Sequence, residues 1–140
     1  LFFGVIATMG TYYAQTEKLT LLSFIVSVPM GALPCAILAI NNLRDRPKDQ
    51  LVGKLTVAVR IGDRNARLMY VGLLILAHIA AIATLIPTAL ITLLAAPMSL
   101  SLSRQVLSGI SGKDLIPVLG KTGKLQMVFA ILFAVGLGIQ

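Results

Sequence analysis

Asn41-Asn42-Leu43-Arg44-Asp45-Arg46-Pro47-Lys48-Asp49 is a dense polar block in an otherwise apolar chain, and the only stretch that brings two carboxylates close together. Arg44, Arg46 and Lys48, then Lys54 and Arg60, surround those acids. Carboxylates suit a hard cation, whereas lysine and arginine suit an anion. The mixture fits a metal-bridged phosphate or diphosphate, because magnesium is usually held by one or two carboxylates plus phosphate oxygens and keeps several waters. The apolar segments on either side read as walls around this rim.

Composition sets the class. Apolar residues make up 57% of the chain and charged residues only 12%, with a mean hydropathy of +0.93. These values indicate an integral membrane protein, all-α and polytopic, rather than a soluble domain. The net charge is +7, from 12 basic and 5 acidic residues. The bases fall in two segments between apolar runs with no aromatic residues interleaved, which favours the lipid bilayer and an anionic substrate as partners and no nucleic acid. Cys35 is the only cysteine, so the chain has neither an internal disulfide nor a cysteine metal site.

The chain opens inside an apolar run and closes just after another, and we expect it to be the C-terminal part of a single, longer transmembrane domain, with the missing portion mostly upstream. The first run has no basic n-region and makes a poor signal peptide. Residues 1–14 read as the second part of a spanning helix that ends on the interface-suited pair Tyr12-Tyr13. A polar turn over 15–20 leads into 21–40, an uncharged run of 20 residues, the length needed to cross a hydrocarbon core of roughly 30 Å. Pro29, Gly31 and Pro34 are expected to kink it. Spans are also expected over 68–86, 88–103 and 125–140, with Pro87 as a turn. The polar loops are then 41–67 and 104–124, the second carrying Gly109, Gly112, Pro117, Gly120 and Gly123 as turn residues. Within the first loop Thr56 can cap a short turn Val57 to Ile61, Gly62 can end it and Asp63 can cap the next helix. Val57-Ala58-Val59 could equally form a short strand.

Orientation follows from counting. Segments 41–67 and 104–124 hold 7 and 4 basic residues, or 11 of the 12, and Lys18 lies opposite. The positive-inside tendency puts both loops in the cytoplasm or its topological equivalent, and we expect a multi-pass protein of the cell (inner) membrane.

Asp45 and Asp49 have the i,i+4 spacing that puts two carboxyl groups on one helical face, about 6 Å apart at Cβ, so that one cation can be shared. Pro47 disfavours helical geometry at Arg46 and belongs in a first turn or at a kink. In the competing, purely structural reading, Asp45 is an N-cap and Asp49 a first-turn acid favoured by the helix dipole. Spacing leaves both readings open.

Asn41-Asn42-Leu43-Arg44-Asp45-x-x-x-Asp49, followed by Gly53-Lys54-x-Thr56-x-Ala58-Val59-Arg60-x-Gly62, closely resembles the second aspartate-rich motif of the UbiA-type membrane prenyltransferases. It is most similar to the branch that prenylates 1,4-dihydroxy-2-naphthoate in menaquinone synthesis. The likeness extends to Phe2-Phe3-Gly4 and Gly10-Thr11-Tyr12-Tyr13 before the motif, and to Leu115-Ile116-Pro117-Val118-Leu119, Thr122 and Leu125 after it. The resemblance implies a nine-helix bundle around a central cavity, of which this chain supplies about five spanning helices. It implies Asp45 and Asp49 as magnesium ligands of the second motif, with Asn41, Asn42 and Arg44 in the same substrate-binding rim. Lys54 and Arg60 are implied as diphosphate contacts or stabilisers of the capping loop, with Lys54 grouped with the two aspartates in catalysis. The implied substrates are polyprenyl diphosphate and 1,4-dihydroxy-2-naphthoate, with demethylmenaquinone as product. The family's first aspartate-rich motif does not occur in these residues, so the chain alone is expected to be inactive.

Other polar residues have plainer readings beside the functional ones. His78, inside a span, is either a functional group or an imidazole bonded to a neighbouring helix. Tyr12 and Tyr13 touch an aromatic substrate or anchor the interface. Arg104 closes the cavity or marks topology. Lys113, Lys121 and Lys124 read as topology or lipid contacts, and Cys35 as a packing residue. Two other functions fit the same residues. One is a related aromatic prenyltransferase with a 4-hydroxybenzoate, homogentisate or phylloquinone-type acceptor; the other is an anion-binding membrane transporter with kinked helices.

Overall fold

A computed structural model describes residues 2–139, with side chains from residue 4 onward. Leu1 and Gln140, the outer bounds of the first and last expected spans, and the side chains of Phe2-Phe3 lie outside the described residues. Among the described residues every regular element is helical. A π turn (Phe2–Ile6) leads into α1 (Ala7–Thr16), followed by α2 (Leu21–Leu51) and α3 (Val57–Ala83). A 3₁₀ stretch (Pro87–Ala95) runs into α4 (Ala96–Leu107), and a short 3₁₀ turn (Gly112–Leu115) runs into α5 (Ile116–Gly138). Four segments are long and apolar enough to cross a membrane: Leu21–Leu51, Val57–Ala83, Pro87–Leu107 and Gly112–Gly138. The protein is thus a multi-pass helical membrane protein, with α1 too short at 10 residues to count as a fifth crossing among the described residues.

The helix boundaries differ from the expected ones in an instructive way. Segment 41–67 is not a loop: α2 continues past Ile40 to Leu51, and α3 begins at Val57. A hydrocarbon core needs only about 20 helical residues, so the remaining turns of α2 emerge where charged side chains are solvated and helix formation costs nothing extra. Pro47 lies inside this helix along with Pro29 and Pro34. The first-turn placement of Pro47, and with it Asp45 as an N-cap, is therefore overturned. The true N-cap of α2 is Thr20, whose hydroxyl accepts from the Ser23 amide at 3.0 Å while Ser23 Oγ accepts from the Thr20 amide at 3.1 Å, a reciprocal capping box.

The break at Gly62 is as expected. It adopts φ 82° inside α3 and separates the turn from Val57 to Ile61 from the rest of the helix. Val57-Ala58-Val59 is helical, not a strand. Thr56 holds the N-cap position but makes no side-chain cap bond, and Asp63 pairs with Arg67 instead of capping. Segment 104–124 shrinks to a connection between Leu107 and Ile116. Pro117 sits in the first turn of α5, where its missing N–H costs little, so Gly120 and Gly123 become helical rather than turn residues.

Packing between α2 and α3 dominates the structure. Ala32, Leu33, Ala36, Ala39, Ile40 and Leu43 are buried along α2, and Ala66, Tyr70, Leu74, Ala77 and Ala81 along α3. Three- and four-residue spacings keep each set on one face, and the alanines let two backbones approach where lipid offers no hydrophobic drive to associate. Larger apolar residues such as Ile75, Ile79, Leu94, Met127 and Ile131 are exposed, as lipid-facing side chains should be. Gly4 and Gly31 meet backbone to backbone, and a Cβ on Gly31 would lie 2.9 Å from the Gly4 Cα. Gly136 is equally tight against Thr88 and Ala89, with a Cβ reaching 2.6 Å from the Thr88 carbonyl oxygen; the Thr88 hydroxyl donates to the Gly136 carbonyl.

The Gly31 contact yields a test. Gly31→Val should destabilise the protein by about 1–3 kcal/mol through overpacking, whereas Gly10→Ala, where a Cβ meets nothing within 4 Å, should not. Thermal unfolding in detergent checks the pair; equal losses would contradict the packing described.

Candidate functional site

Helix α2 delivers the polar block to one end of the bundle, and the turn after Leu51 folds back on it. Gly53, at φ 71°, takes a left-handed conformation that suits glycine, and the Lys54 amide donates to the Asp49 carbonyl at 2.8 Å. This reversal brings Lys54 Nζ to 3.2 Å from Asp49 Oδ1. Asp49 is buried, with its side chain 8% exposed against 64% for Lys54. Its second oxygen, Oδ2, is buried without a hydrogen-bond partner. The expected i,i+4 pair of acids therefore does lie on one continuous helix.

Asp45 is differently placed. Arg44 grips it through two bonds, Nε to Oδ1 at 2.8 Å and Nη2 to Oδ2 at 2.7 Å. It sits on the part of α2 beyond the apolar run, where the Arg44 hydrogen bond holds its carboxyl below the usual carboxylate range. The acid is ionised at neutral pH and already engaged. Asp45 and Arg44 also line a cleft of about 330 Å³ with Pro47, Lys48, Gly112, Lys113 and Ile116, so the two basic segments of the chain meet at this end of the bundle.

The remaining expected site residues fall around this framework. Asn41 and Asn42 are half-buried on α2 just before the pair, and Arg60 is exposed on the short turn before Gly62. The structure does not gather all of them into one cleft. Arg46, which spacing did not single out as a site residue, has a buried Nε without a partner, and so does the Thr56 hydroxyl. Of the four such buried side-chain atoms among the described residues, three (Arg46 Nε, Asp49 Oδ2 and Thr56 Oγ1) fall within ten residues of one another at this end. An unpartnered buried polar group costs roughly 1–3 kcal/mol, and a bound water, an ion or a substrate atom is the usual partner of such a group.

A divalent cation fits this donor set in a specific way. No group of three or more His, Cys, Asp or Glu side chains converges among the described residues. Asp49 Oδ2, which has no hydrogen-bond partner, would offer one oxygen to such an ion, and Asp45 would join it only by giving up its bonds to Arg44. Magnesium bound jointly by carboxylates and phosphate oxygens needs no more than that from the protein.

Two residues secure the site from behind. Buried Arg67 donates to Asp63 through Nε at 2.6 Å and Nη2 at 3.1 Å, and through Nη1 to the Val106 carbonyl near the end of α4. Tyr70 and Thr122 bond at 2.8 Å; because the Thr122 hydroxyl donates to the Val118 carbonyl, Tyr70 is the donor. Thr122 belongs to the stripe Val118, Thr122 and Leu125, buried on one face of α5, with buried Leu115 in the turn just before it.

His78 is bonded to its own helix, Nδ1 to the Leu74 carbonyl at 2.9 Å, and not to a neighbouring one; it packs edge-on against Phe129 at 5.3 Å. Tyr12 lines a cleft with Thr20 and Ser23 at the start of α2. That is about 35 Å along the helix from Asp45, too far to reach a substrate held there. Tyr13 is 53% exposed at the end of α1, as an interface anchor would be. Arg104 is exposed in the last turn of α4, and Cys35 packs beside Gly31 and Leu73.

A model of the UbiA prenyltransferase family matches residues 1–117. The chain is 40% identical over 136 residues to a 1,4-dihydroxy-2-naphthoate octaprenyltransferase of Mycobacterium tuberculosis, covering 96% of this chain and 47% of that protein. It is 32% identical over 143 residues to the protein of that name in Escherichia coli, covering 98% and 46%. It is 31% identical over 138 residues to the human UbiA prenyltransferase domain-containing protein 1, covering 96% and 40%. The chain thus spans about half the length of the relatives it matches.

The two arginine–aspartate pairs should behave differently. Arg67→Met leaves a buried carbonyl and Asp63 without their donor and should cost about 1–3 kcal/mol, whereas Arg44→Met removes a half-exposed pair worth roughly 0–1 kcal/mol. Unfolding midpoints of the two variants decide it; similar values would contradict the buried brace.

Proposed function

The chain belongs to the UbiA prenyltransferase family, and from that premise we propose that it forms the C-terminal part of a membrane prenyltransferase domain that transfers a polyprenyl group from polyprenyl diphosphate to 1,4-dihydroxy-2-naphthoate, giving the quinol form of demethylmenaquinone with release of pyrophosphate and carbon dioxide. The observation that carries this reading is the buried, half-satisfied Asp49 at the polar end of α2, beside a carboxylate that its own arginine holds ready. The naphthoate acceptor is favoured by the names of the bacterial relatives.

In this mechanism Asp45 and Asp49 would hold a magnesium ion, which when bound would supply Lewis-acid stabilisation of the charge that develops on the diphosphate as the allylic C–O bond breaks. Arg44 exchanges Asp45 for phosphoryl oxygens, which suits its planar fork of donors. Lys54, tethered to Asp49, stabilises the capping turn and adds positive charge near the leaving group, and Arg60 offers a second cation on the same turn. Asn41 and Asn42 supply neutral amides to the rim. The apolar walls exclude water, so that the electron-rich naphthoate ring rather than solvent traps the allylic cation. Ring attack is coupled to loss of the ring carboxylate.

Both basic segments, 41–67 and 104–124, face the cytoplasm of the cell membrane in this reading, with the site at the level where the diphosphate remains in water and the isoprenoid enters the bilayer.

In the intact enzyme, Asp45→Asn and Asp49→Asn should each lower magnesium-dependent prenyl transfer by at least about a hundredfold and leave membrane insertion unchanged. Membranes assayed with labelled polyprenyl diphosphate and several aromatic acceptors, with and without magnesium, provide the check. Normal turnover in either variant would remove that residue from the site.

A further inference from the structure

The span that ends in α4 begins in a form that its residues do not themselves ask for. Pro87–Ala95 is a 3₁₀ run of 9 residues, whereas such runs seldom exceed three or four residues because their hydrogen bonds are poorer than those of an α-helix. Five of the nine are alanine or leucine and none is glycine, a composition that favours an α-helix. Pro97, at the start of α4, accounts for the last turn only: in a continuous α-helix its ring would meet the carbonyl four residues back, at Leu93. Residues 87–92 have no such local cause. Tertiary contacts supply it instead. Ala89, Thr92 and Ala95 are buried, and side chains three apart eclipse in a 3₁₀-helix, so three small residues lie in one line where the run packs on α5. Both ends of the span are held. At its start the Thr88 hydroxyl donates to the Gly136 carbonyl, and Gly136 leaves no room for a Cβ against Thr88 and Ala89. At its end Arg67, buried on α3, donates to the Val106 carbonyl, one of the last four carbonyls of α4, which have no partner inside the helix.

A 3₁₀-helix rises about 2.0 Å per residue and an α-helix about 1.5 Å, so residues 87–92 hold the span about 3 Å longer than the same residues would as an α-helix. We propose that this run is a stretched segment kept in tension between the Thr88–Gly136 and Arg67–Val106 clasps, and that α4 has a second, shorter register. In that register residues 87–92 become α-helical and α4 withdraws about 3 Å from the polar end of the bundle. Arg67 also holds Asp63, so the register of α4 is tied to the polar end of α3. Sliding α4 carries Ser99, Leu100 and Ser103 past Val71, Ile75 and His78, and reshapes the cleft of about 280 Å³ that these residues help to line between α3 and α4. The device rests on the fold and not on the reaction proposed above.

The length of the span is read in the intact protein in lipid nanodiscs, with Cys35→Ala and no other cysteine. Spin labels on Leu85→Cys and Leu107→Cys, exposed positions that bracket the span, report it by electron–electron double resonance. A second pair, Leu68→Cys and Ile82→Cys, exposed on α3, is the fixed reference. Arg67→Met and Thr88→Val each release one clasp and should shorten the distance between positions 85 and 107 by about 3 Å, with the reference distance constant. Thr88→Ser keeps the hydroxyl and should match the unsubstituted protein. Where Arg67→Met fails to fold, Thr88→Val decides alone. Shortening in either folded variant supports the stretched segment; an unchanged distance in the folded variants overturns it and makes the 3₁₀ run the segment's own preference.

Discussion

Charge cannot be left unpaired in hydrocarbon, and most of this structure follows from that constraint. The spanning portions carry almost no ionisable groups, and 11 of the 12 basic residues fall in the two segments that meet at one end of the bundle. Helix α2 is the means of concentration. At 31 residues it is about 46 Å long, well beyond the roughly 30 Å that the bilayer core requires, and its surplus turns carry the motif out of the membrane as a rigid helix. A site built on a helix end is positioned more precisely than one on a loop, and the small-residue seam between α2 and α3 fixes where that end lies.

The site pairs one carboxylate that is sheltered with another that is held. Asp49 keeps one oxygen for Lys54 and one for no group of the protein, whereas Asp45 gives both to Arg44. In the proposed reaction, Arg44 exchanging this carboxylate for a phosphate would link arrival of the anion to release of the acid. Behind this front, Arg67 ties α3 to the end of α4 and Tyr70 ties α3 to α5, so the polar end is braced by neutral and charged bonds that do not themselves face the cleft.

Much of this was legible in the residues. Composition and run length disclosed the membrane class, and the i,i+4 acids and the Gly62 break were visible as spacings. The motif resemblance found the family. What spacing missed depends on tertiary context. Proline chemistry put Pro47 in a first turn or at a kink, but it lies late in α2, which continues to Leu51. Gly120 and Gly123 read as turn residues because Pro117 was taken as one too, although proline in a first turn is a helix-start signal and α5 begins there. Arg46 was visible only as one of the bases around the acids, and Lys113 read as a topology or lipid contact; that Lys113 lines a cleft with Arg44 and Asp45 depends on the packing that brings the turn before α5 to the end of α2. His78 drew suspicion for its place in a span, yet its own helix satisfies one ring nitrogen.

The central claim is that the Asp45–Asp49 face binds a divalent cation together with a diphosphate. Electron paramagnetic resonance of the intact protein with Mn²⁺ in place of magnesium tests it directly. The account predicts that pyrophosphate and protein together immobilise the ion in a complex showing ³¹P coupling, and that Asp49→Asn abolishes the protein-bound signal while leaving the soluble manganese pyrophosphate complex. A bound signal of equal strength in Asp49→Asn, or manganese held by the protein with no phosphorus coupling, would contradict it.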